Sequence, residues 1–568
     1  MSEELEPRDF ESRRKFVLGC FGLGGAALLG RDMYLQLVRE PFLMRQGDAR
    51  HLRLIPIQAH RGMILDRNRR PLAISTPVKS IWIDPSQSAS SADLRALAAF
   101  LKINPKDLVR LFKKAQAMNL KFVWIKRQVP PYIANNAINM KIPGLGLRTE
   151  YKRYYPMGEV GSHMLGFTNI SGQGQDGLEL EFNAWMAGSN GATQAVINAY
   201  GQVVQDVQLV KPVRHGRDLA TTIDQRIQYL AYVALEEMVQ RCSATSGSVV
   251  VMDPKNGEIV AMVDQPTFNP NMRSDFHSRL YRNRAATDAF EPGSTMKPFT
   301  LSAALMSGQY TPSTVIDTSP GWYMLDGHTI KDDLDFGKID LTQVLQFSSN
   351  VAASKIAITL PPKLMWGVFE RAGFGQITQS GFPGEASGML HDYLDWKQIN
   401  QATIAYGYDI SATTLQLAEA YCAIANGGVR LPATFIRRAS PVPGIRVMPT
   451  KVADTIRNML RSVITPQGTA YSARIPGYTV AGKTGTAYRM GAHGFSKHDF
   501  NAVFVGMVPA SNPRLVAAVV VRSPQGHHFG GQVAAPVFQQ VMSGAMRLWD
   551  IPPDQLNDMR QQSGRYRA

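Results

Sequence analysis

Apolar residues fill the stretch from Phe16 to Gly30, which carries no charge, and continue past Arg31 and Asp32 to Val38. The first 15 residues fall short of the roughly 20 that span a bilayer, but the 23 from Phe16 to Val38 suffice, with the charged pair near the interface. Arg13, Arg14 and Lys15 precede the run, which predicts an inside N-terminus and an exported remainder. A cleaved signal peptide would need a small-residue cleavage site. Gly25-Ala26-Ala27 lies within the run and no A-x-A follows it, so an uncleaved anchor at 16–38 behind a tail at 1–15 is the better reading. Ser12-Arg13-Arg14-Lys15-Phe16 is also similar to a twin-arginine export signal.

Beyond Val38 the pattern turns polar. Strand-like runs at Leu52–Ile57 and Lys79–Ile83 mix with helical spacing over Ser91–Leu111, punctuated by Pro143-Gly144 and Gly172–Gly174. Residues 39–215 are therefore expected to form an irregular α+β module. The texture changes near His215-Gly216. Asp224 is placed to cap a helix with Ile227, Leu230, Ala231, Ala234, Leu235 and Met238 on one face. Ser248–Met252 and Glu258–Val263, joined through Asp253–Gly257, predict a β-hairpin, and Ala502–Val508 with Leu515–Val521 predict a second. A closing helix is expected from Pro536, with Phe538, Val541, Met542, Ala545 and Trp549 on one face. Hairpins at both ends of a long helical middle predict an α+β domain at 216–552, its antiparallel sheet flanked by helices. Residues 553–568 read as a tail.

Composition narrows function more than fold. The 568 residues are 44% apolar and 19% charged, which is globular and not disordered. Three cysteines (Cys20, Cys242, Cys422) exclude a disulfide scaffold, and the 11 histidines contain no H-E-x-x-H pair, so no metal or cofactor is expected. A net charge of +16 suits an anionic surface such as a membrane or cell wall. The basic residues are scattered, with no run outside the N-terminus, so nucleic acid is not an expected partner.

Three short motifs follow in order. Ser294-Thr295-Met296-Lys297 is S-x-x-K, Ser348-Ser349-Asn350 is S-x-N, and Lys483-Thr484-Gly485-Thr486 is K-T-G-T. Singly each is weak; Ser12–Lys15 is a second S-x-x-K, and Ser294 alone is an ordinary helix cap. The ordered set, 54 and then 135 residues apart, is what discriminates. Pro292-Gly293 suits a helix start, and residues three apart share a helix face, so Lys297 can reach the Ser294 hydroxyl. Serine needs a base to become a nucleophile. Lysine serves only if burial or a second cation, for which Lys483 is placed, lowers its pKa. Ser348 can relay a proton to a leaving group, and Asn350 offers an amide donor and acceptor to a peptide-like substrate. Gly485 would clear the strand for close approach. Thr484 and Thr486 offer hydroxyls, and Lys483 a charge, to a substrate carboxylate. Strand alternation puts Lys483 opposite the threonines, so all can serve one cleft only at a sheet edge.

With these motifs the chain resembles the class B penicillin-binding proteins, and most closely their division-type transpeptidases. Arg61-Gly62 with Asp66-Arg67-Asn68 and Pro71-Leu72-Ala73, then Arg153-Tyr154-Tyr155-Pro156 with Gly158, then Gly177, Glu179 and Phe182 are similar to three motifs of that family's non-catalytic pedestal. The resemblance implies a pedestal at 39–215 and a transpeptidase domain at 216–552. It implies a D,D-transpeptidase that acylates Ser294 with a peptidoglycan stem peptide, Lys297 being the base, and that passes the acyl group to an amine. The same resemblance implies Ser348 and Lys483 as further catalytic groups. Asn350, Thr484, Gly485, Thr486, Tyr406, Tyr408, Phe500 and Phe529 are implied as substrate contacts. Implied too are single-pass anchoring in a bacterial inner membrane with the catalytic domain in the periplasm, inhibition by β-lactams, and partnership with a SEDS-type glycosyltransferase and other division proteins.

Several positions depart from the septal pattern. Tyr488 stands where a basic residue is usual, Asp409 and Arg69 replace glycines, and His528-Phe529 replaces paired aromatics. Tyr488 and Asp409 lower the positive potential expected beside the K-T-G-T strand, which predicts slower reaction with dianionic β-lactams. They leave a conditional second copy as reasonable as the main division enzyme. A class A β-lactamase would be about half this length with a deacylating glutamate motif, which is absent. A β-lactam sensor would need several membrane spans, and a bifunctional enzyme an E-D-x-x-F signature. A non-catalytic scaffold or binding protein should have lost Ser294 or Lys297.

Overall fold

The computed structural model describes residues 8–42, 52–87, 89–197, 203–272, 277–438, 440, 442–491 and 494–555. Most of the expected tail, 556–568, lies outside them. The apolar N-terminal run is helical from Arg8 to Met33 and continues as a wider helix over Tyr34–Val38. Its Glu11–Val38 stretch, 28 residues that contain an 18-residue window of mean hydropathy 1.3, is long and apolar enough to cross a membrane. At 1.5 Å per residue it measures about 40 Å, more than the ~30 Å hydrocarbon core.

The chain divides into two units that interleave in sequence. One comprises 1–59, 77–151 and 189–215, the other 60–76, 152–188 and 216–568. This departs from the contiguous 39–215 and 216–552 segments read from the sequence. The segments that carry the expected pedestal motifs, around Arg61, Arg153 and Glu179, belong to the unit that holds the catalytic motifs.

In the first unit, Leu52–Ile57 pairs with Gly191–Ile197, which pairs in turn with Val203–Lys211, all antiparallel. A separate small core gathers Ile81, Ile83, Leu94, Leu97, Leu108 and Phe112. The helix expected over Ser91–Leu111 is two helices, Ser91–Phe100 and Pro105–Ala117. Pro105 cannot continue a helix from the preceding turn but is favoured at a first helical position, where Asn104 caps it by accepting from the Lys106 N–H.

In the second unit the order is α1 (Gln225–Arg241), β1 (Ser246–Asp253), β2 (Glu258–Gln265), α2 (Lys297–Met306), α3 (Leu341–Phe347), α4 (Asn350–Ala357), α5 (Thr414–Ala425), β3 (Ala481–Gly491), β4 (Gly494–Val508), β5 (Leu515–Arg522) and α6 (Gly530–Leu548). Asp224 caps α1 by accepting from the Arg226 N–H at 3.1 Å. The strands form one sheet in the order β2-β1-β5-β4-β3, with every pairing antiparallel. Every residue of β5 is buried, so both faces of the sheet are covered. Helices α1 and α6 pack on each other and on the sheet, with Phe504 of β4 meeting Phe538 of α6 edge-on at 4.9 Å; α5, buried along its whole length, packs on β1, β4 and β5. The expected α+β architecture is therefore present. The closing helix, however, starts at Gly530 and holds Pro536 inside it. The proline removes one bond, to the Gln532 carbonyl, and Gln532 is exposed where water can replace it.

The motifs near Arg61, Arg153 and Glu179 meet in one buried ion cluster. Glu179 Oε2 accepts from Arg61 Nε at 2.8 Å, its Oε1 accepts from Arg153 Nε at 2.6 Å, and the spare guanidinium protons bond Asn183 Oδ1 and the Gly62 carbonyl, both at 2.8 Å. A carboxylate with no exposed surface is tolerable because two guanidinium cations bond both of its oxygens.

Candidate active site

Ser294 lies on a tight turn, Gly293–Met296, that runs directly into α2. The turn is held from two sides. The Gly293 N–H donates to the Gly407 carbonyl at 3.1 Å, and Phe290 pairs with Ala412. Gly407 has φ +90°, and a Cβ there would stand 2.0 Å from the Gly293 carbonyl oxygen, so only glycine lets the Tyr406-Gly407-Tyr408 loop approach. On the other side is β3, the edge strand. A Cβ on Gly485 would meet the Pro292 oxygen at 2.8 Å. The close approach expected at Gly485 is thus that of the serine turn.

Lys297 has no exposed surface. Its Nζ donates to Ser294 Oγ at 2.9 Å, to Asn350 Oδ1 at 2.8 Å, to Ser348 Oγ at 3.2 Å and to the Ser348 carbonyl. Ser348 ends α3 with φ +64°, the left-handed conformation that turns its carbonyl and hydroxyl toward Lys297. Lys483, equally buried, donates to the same Ser348 Oγ at 2.8 Å and to the Thr484 carbonyl at 3.1 Å. Its charge is held within this network and is not presented on the cleft surface. Asn350 is likewise engaged: Oδ1 takes Lys297, and Nδ2 donates to the Lys331 carbonyl at 3.1 Å.

Burial pushes the Lys297 ammonium down to about 7, with Asp332 and Asp333 pulling it the other way. Lys483 is pushed well below the usual lysine range, by burial and then by the charge of Lys297. Of the two causes the sequence left open for Lys297, burial or a second cation, burial is the one that lowers it. Two ammoniums around one hydroxyl in a dry site are disfavoured, so a neutral amine is available near pH 7.

A cleft of about 770 Å³ opens over Ser294, lined among others by Ser348, Asn350, Thr484, Thr486, Tyr406 and Tyr408. Thr484 and Thr486 face it from the edge strand, and neither lysine lines it, which resolves the alternation problem. A serine hydroxyl beside a lysine that burial lowers to about 7, a second hydroxyl bridging two lysines, and an open groove at a sheet edge equip the site for acyl transfer to and from a peptide-like chain.

Residues 247–543 match the family described as penicillin binding protein transpeptidase domain, and residues 56–221 the penicillin-binding protein dimerisation domain. The chain belongs to the penicillin-binding transpeptidases. It is 40% identical over 545 residues to a probable peptidoglycan D,D-transpeptidase PbpC of Pseudomonas aeruginosa, covering 95% of this chain and 96% of that one. It is 39% identical over 551 residues to the peptidoglycan D,D-transpeptidase FtsI of Escherichia coli, covering 96% and 93%. Among solved structures it is similar to the transpeptidase domain of Burkholderia pseudomallei penicillin-binding protein 3, at 43% identity and TM-score 0.54 over 58% of this chain and 97% of that one. It is also similar to Mycobacterium tuberculosis penicillin-binding protein 3 complexed with aztreonam, at 26% identity and TM-score 0.69 over 88% and 98%.

Within this penicillin-binding fold the remaining predicted contacts also reach the cleft. Tyr488, Phe500, His528 and Phe529 form a ladder along one wall, with successive ring centroids 4.9, 4.4 and 4.3 Å apart. Tyr406 and Tyr408 meet edge-on at 5.7 Å on another. Asp409 and Arg69, at positions where the resemblance implies glycine, have φ +57° and +64°. Asp409 offsets that strain by accepting from Thr403 Oγ1 at 2.6 Å and Asn400 Nδ2 at 3.3 Å. Sequence reasoning missed Asp332, Thr469, whose hydroxyl bonds that of Thr484 at 2.8 Å, and Glu291, which burial pushes up to about 7 beside Asp409. Glu291 was visible only as a neighbour of the serine motif, and an aspartate pair after a strand, or a threonine in a loop, reads as ordinary surface.

Proposed function

We propose that this chain cross-links peptidoglycan through an acyl-enzyme on Ser294. Neutral Lys297 takes the Ser294 proton as Oγ attacks the carbonyl of the D-Ala-D-Ala bond in a donor stem peptide. Backbone N–H groups of Ser294 and Thr486 hold the oxyanion. Ser348, between Lys297 and Lys483, passes a proton to the departing D-Ala amine. An amine of a neighbouring stem then attacks the ester, and the same groups act in reverse. Thr484 and Thr486 receive the substrate carboxylate, Asn350 its backbone, and Tyr406, Tyr408, Phe500 and Phe529 its flanks. A β-lactam acylates the same serine, and its tethered leaving group stalls the second step. The 2.9 Å Lys297–Ser294 contact, with burial holding Lys297 near 7, is the observation that carries this reading. The Glu11–Val38 helix supports a single inner-membrane anchor with the catalytic domain in the periplasm. The likeness to FtsI supports work at the septum beside a SEDS-type glycosyltransferase and other division proteins.

Incubating the detergent-solubilised protein with a D-Ala-D-Ala stem peptide and an amine acceptor should release D-Ala and form the cross-linked product, and Ser294→Ala should do neither. D-Ala release by Ser294→Ala at the wild-type rate would contradict the proposal.

A further inference from the structure

Asp332 lies at the end of a short strand, His328–Lys331, and makes contacts that a surface aspartate does not need. Its Oδ2 accepts from Ser349 Oγ at 2.5 Å, and its Oδ1 accepts from the backbone N–H of Asn350 and, at 3.0 Å, of Val351. Its own N–H donates to the Gly321 carbonyl at 2.9 Å. One carboxylate thus takes the first two free N–H groups of α4 and the hydroxyl of the helix cap. It is anchored in turn to a loop outside that helix. The residues it holds bracket the reacting network. Ser348, just before, accepts from Lys297 with its hydroxyl and carbonyl; Asn350, just after, accepts from Lys297 with Oδ1 and donates through Nδ2 to the carbonyl of Lys331, the residue preceding Asp332.

We propose that Asp332 is a positioning residue for acylation, acting through the Ser348–Asn350 turn on Lys297. The inference rests on the acyl-enzyme reading above. Asp332 does two things at once. It fixes the turn so that three oxygens converge on Lys297 Nζ, and it places a negative charge where it favours the ammonium. The charged groups that shift Lys297 are Asp332 and Asp333, and Lys297 in turn lowers its neighbour Lys483. Asp333 is exposed, so solvent screens it more. Burial alone would drive Lys297 further down than about 7; the aspartates hold it where it can both take and return a proton near neutral pH.

The test is the pH profile of benzylpenicillin acylation, as a second-order rate constant, for wild type, Asp332→Asn and Asp332→Ala. Asparagine keeps an oxygen for the α4 amides and removes the charge, so its acid limb should move to lower pH by roughly 0.5–1 unit. Alanine should also slow acylation at all pH values, by roughly 10-fold or more, because the turn loses its clamp. Thermal unfolding establishes that each variant is folded, and if alanine is not, asparagine alone decides. An acid limb that stays in place in folded Asp332→Asn, whether or not the plateau falls, would overturn the proposal and leave Asp332 a helix cap only. Failure of the wild type to acylate would instead refute the acyl-enzyme reading.

Discussion

Lys297 and Lys483 explain why the serine needs so crowded a setting. A solvent-exposed lysine would be protonated at neutral pH and useless as a base; full burial removes that obstacle for Lys297. A base must be neutral to act, and burial lowers Lys297 to about 7, so acylation should fall as pH drops below about 7 and level off above it. Lys297→Ala should slow β-lactam acylation by roughly 10²–10⁴-fold with the fold intact. Stopped-flow or gel labelling across pH 5–9 checks both, and normal acylation by the variant would remove Lys297 from the reaction. At the cleft rim, Tyr488 is 44% exposed and Asp409 also lines the groove. Tyr488→Arg should therefore raise the acylation rate of dianionic over monoanionic β-lactams by a few-fold, the effect of one partly exposed charge. An unchanged ratio would mean that position 488 does not meet the ligand.

At the scale of elements, what the sequence made legible followed hydrophobic period and capping. The α1 helix behind Asp224 and both hairpins stand where alternation placed them, because their burial is nearly uniform along one face or both. The break at Asn104-Pro105 and the early start of α6 were missed because tertiary packing, not local propensity, decided where each helix ran. The three motifs were legible as an ordered set, but their convergence was not. Ser348 enters the site only because it is left-handed between two helices, and what approaches Gly485 becomes visible only with the Pro292 carbonyl against it. The glycine stitch between loop and serine turn gives a sharp test. Gly407→Ala forces a Cβ to within 2.0 Å of the Gly293 oxygen and penalises φ +90°, so the turn and loop must separate. Acylation should fall by about 10²-fold, the cost of misplacing a reacting group by about 1 Å. A variant that acylates normally would show that the loop does not position Ser294.

For the whole molecule, the N-terminal helix and the catalytic unit carry separable claims. An N-terminally tagged protein should keep its tag in the membrane fraction through the Glu11–Val38 helix, whereas a soluble tagless form would mean that this segment is cleaved. The interleaving of the two units was not legible in the sequence, since contiguous texture hides contacts that join residues 61, 153 and 179. Everything in the account turns on one bond, the ester to Ser294. Intact-mass analysis after reaction with benzylpenicillin, followed by peptide mapping, tests it directly. The account predicts a single adduct on the peptide containing Ser294 in the wild type and none in folded Ser294→Ala. An adduct on another residue, or an unmodified wild-type protein, would contradict it.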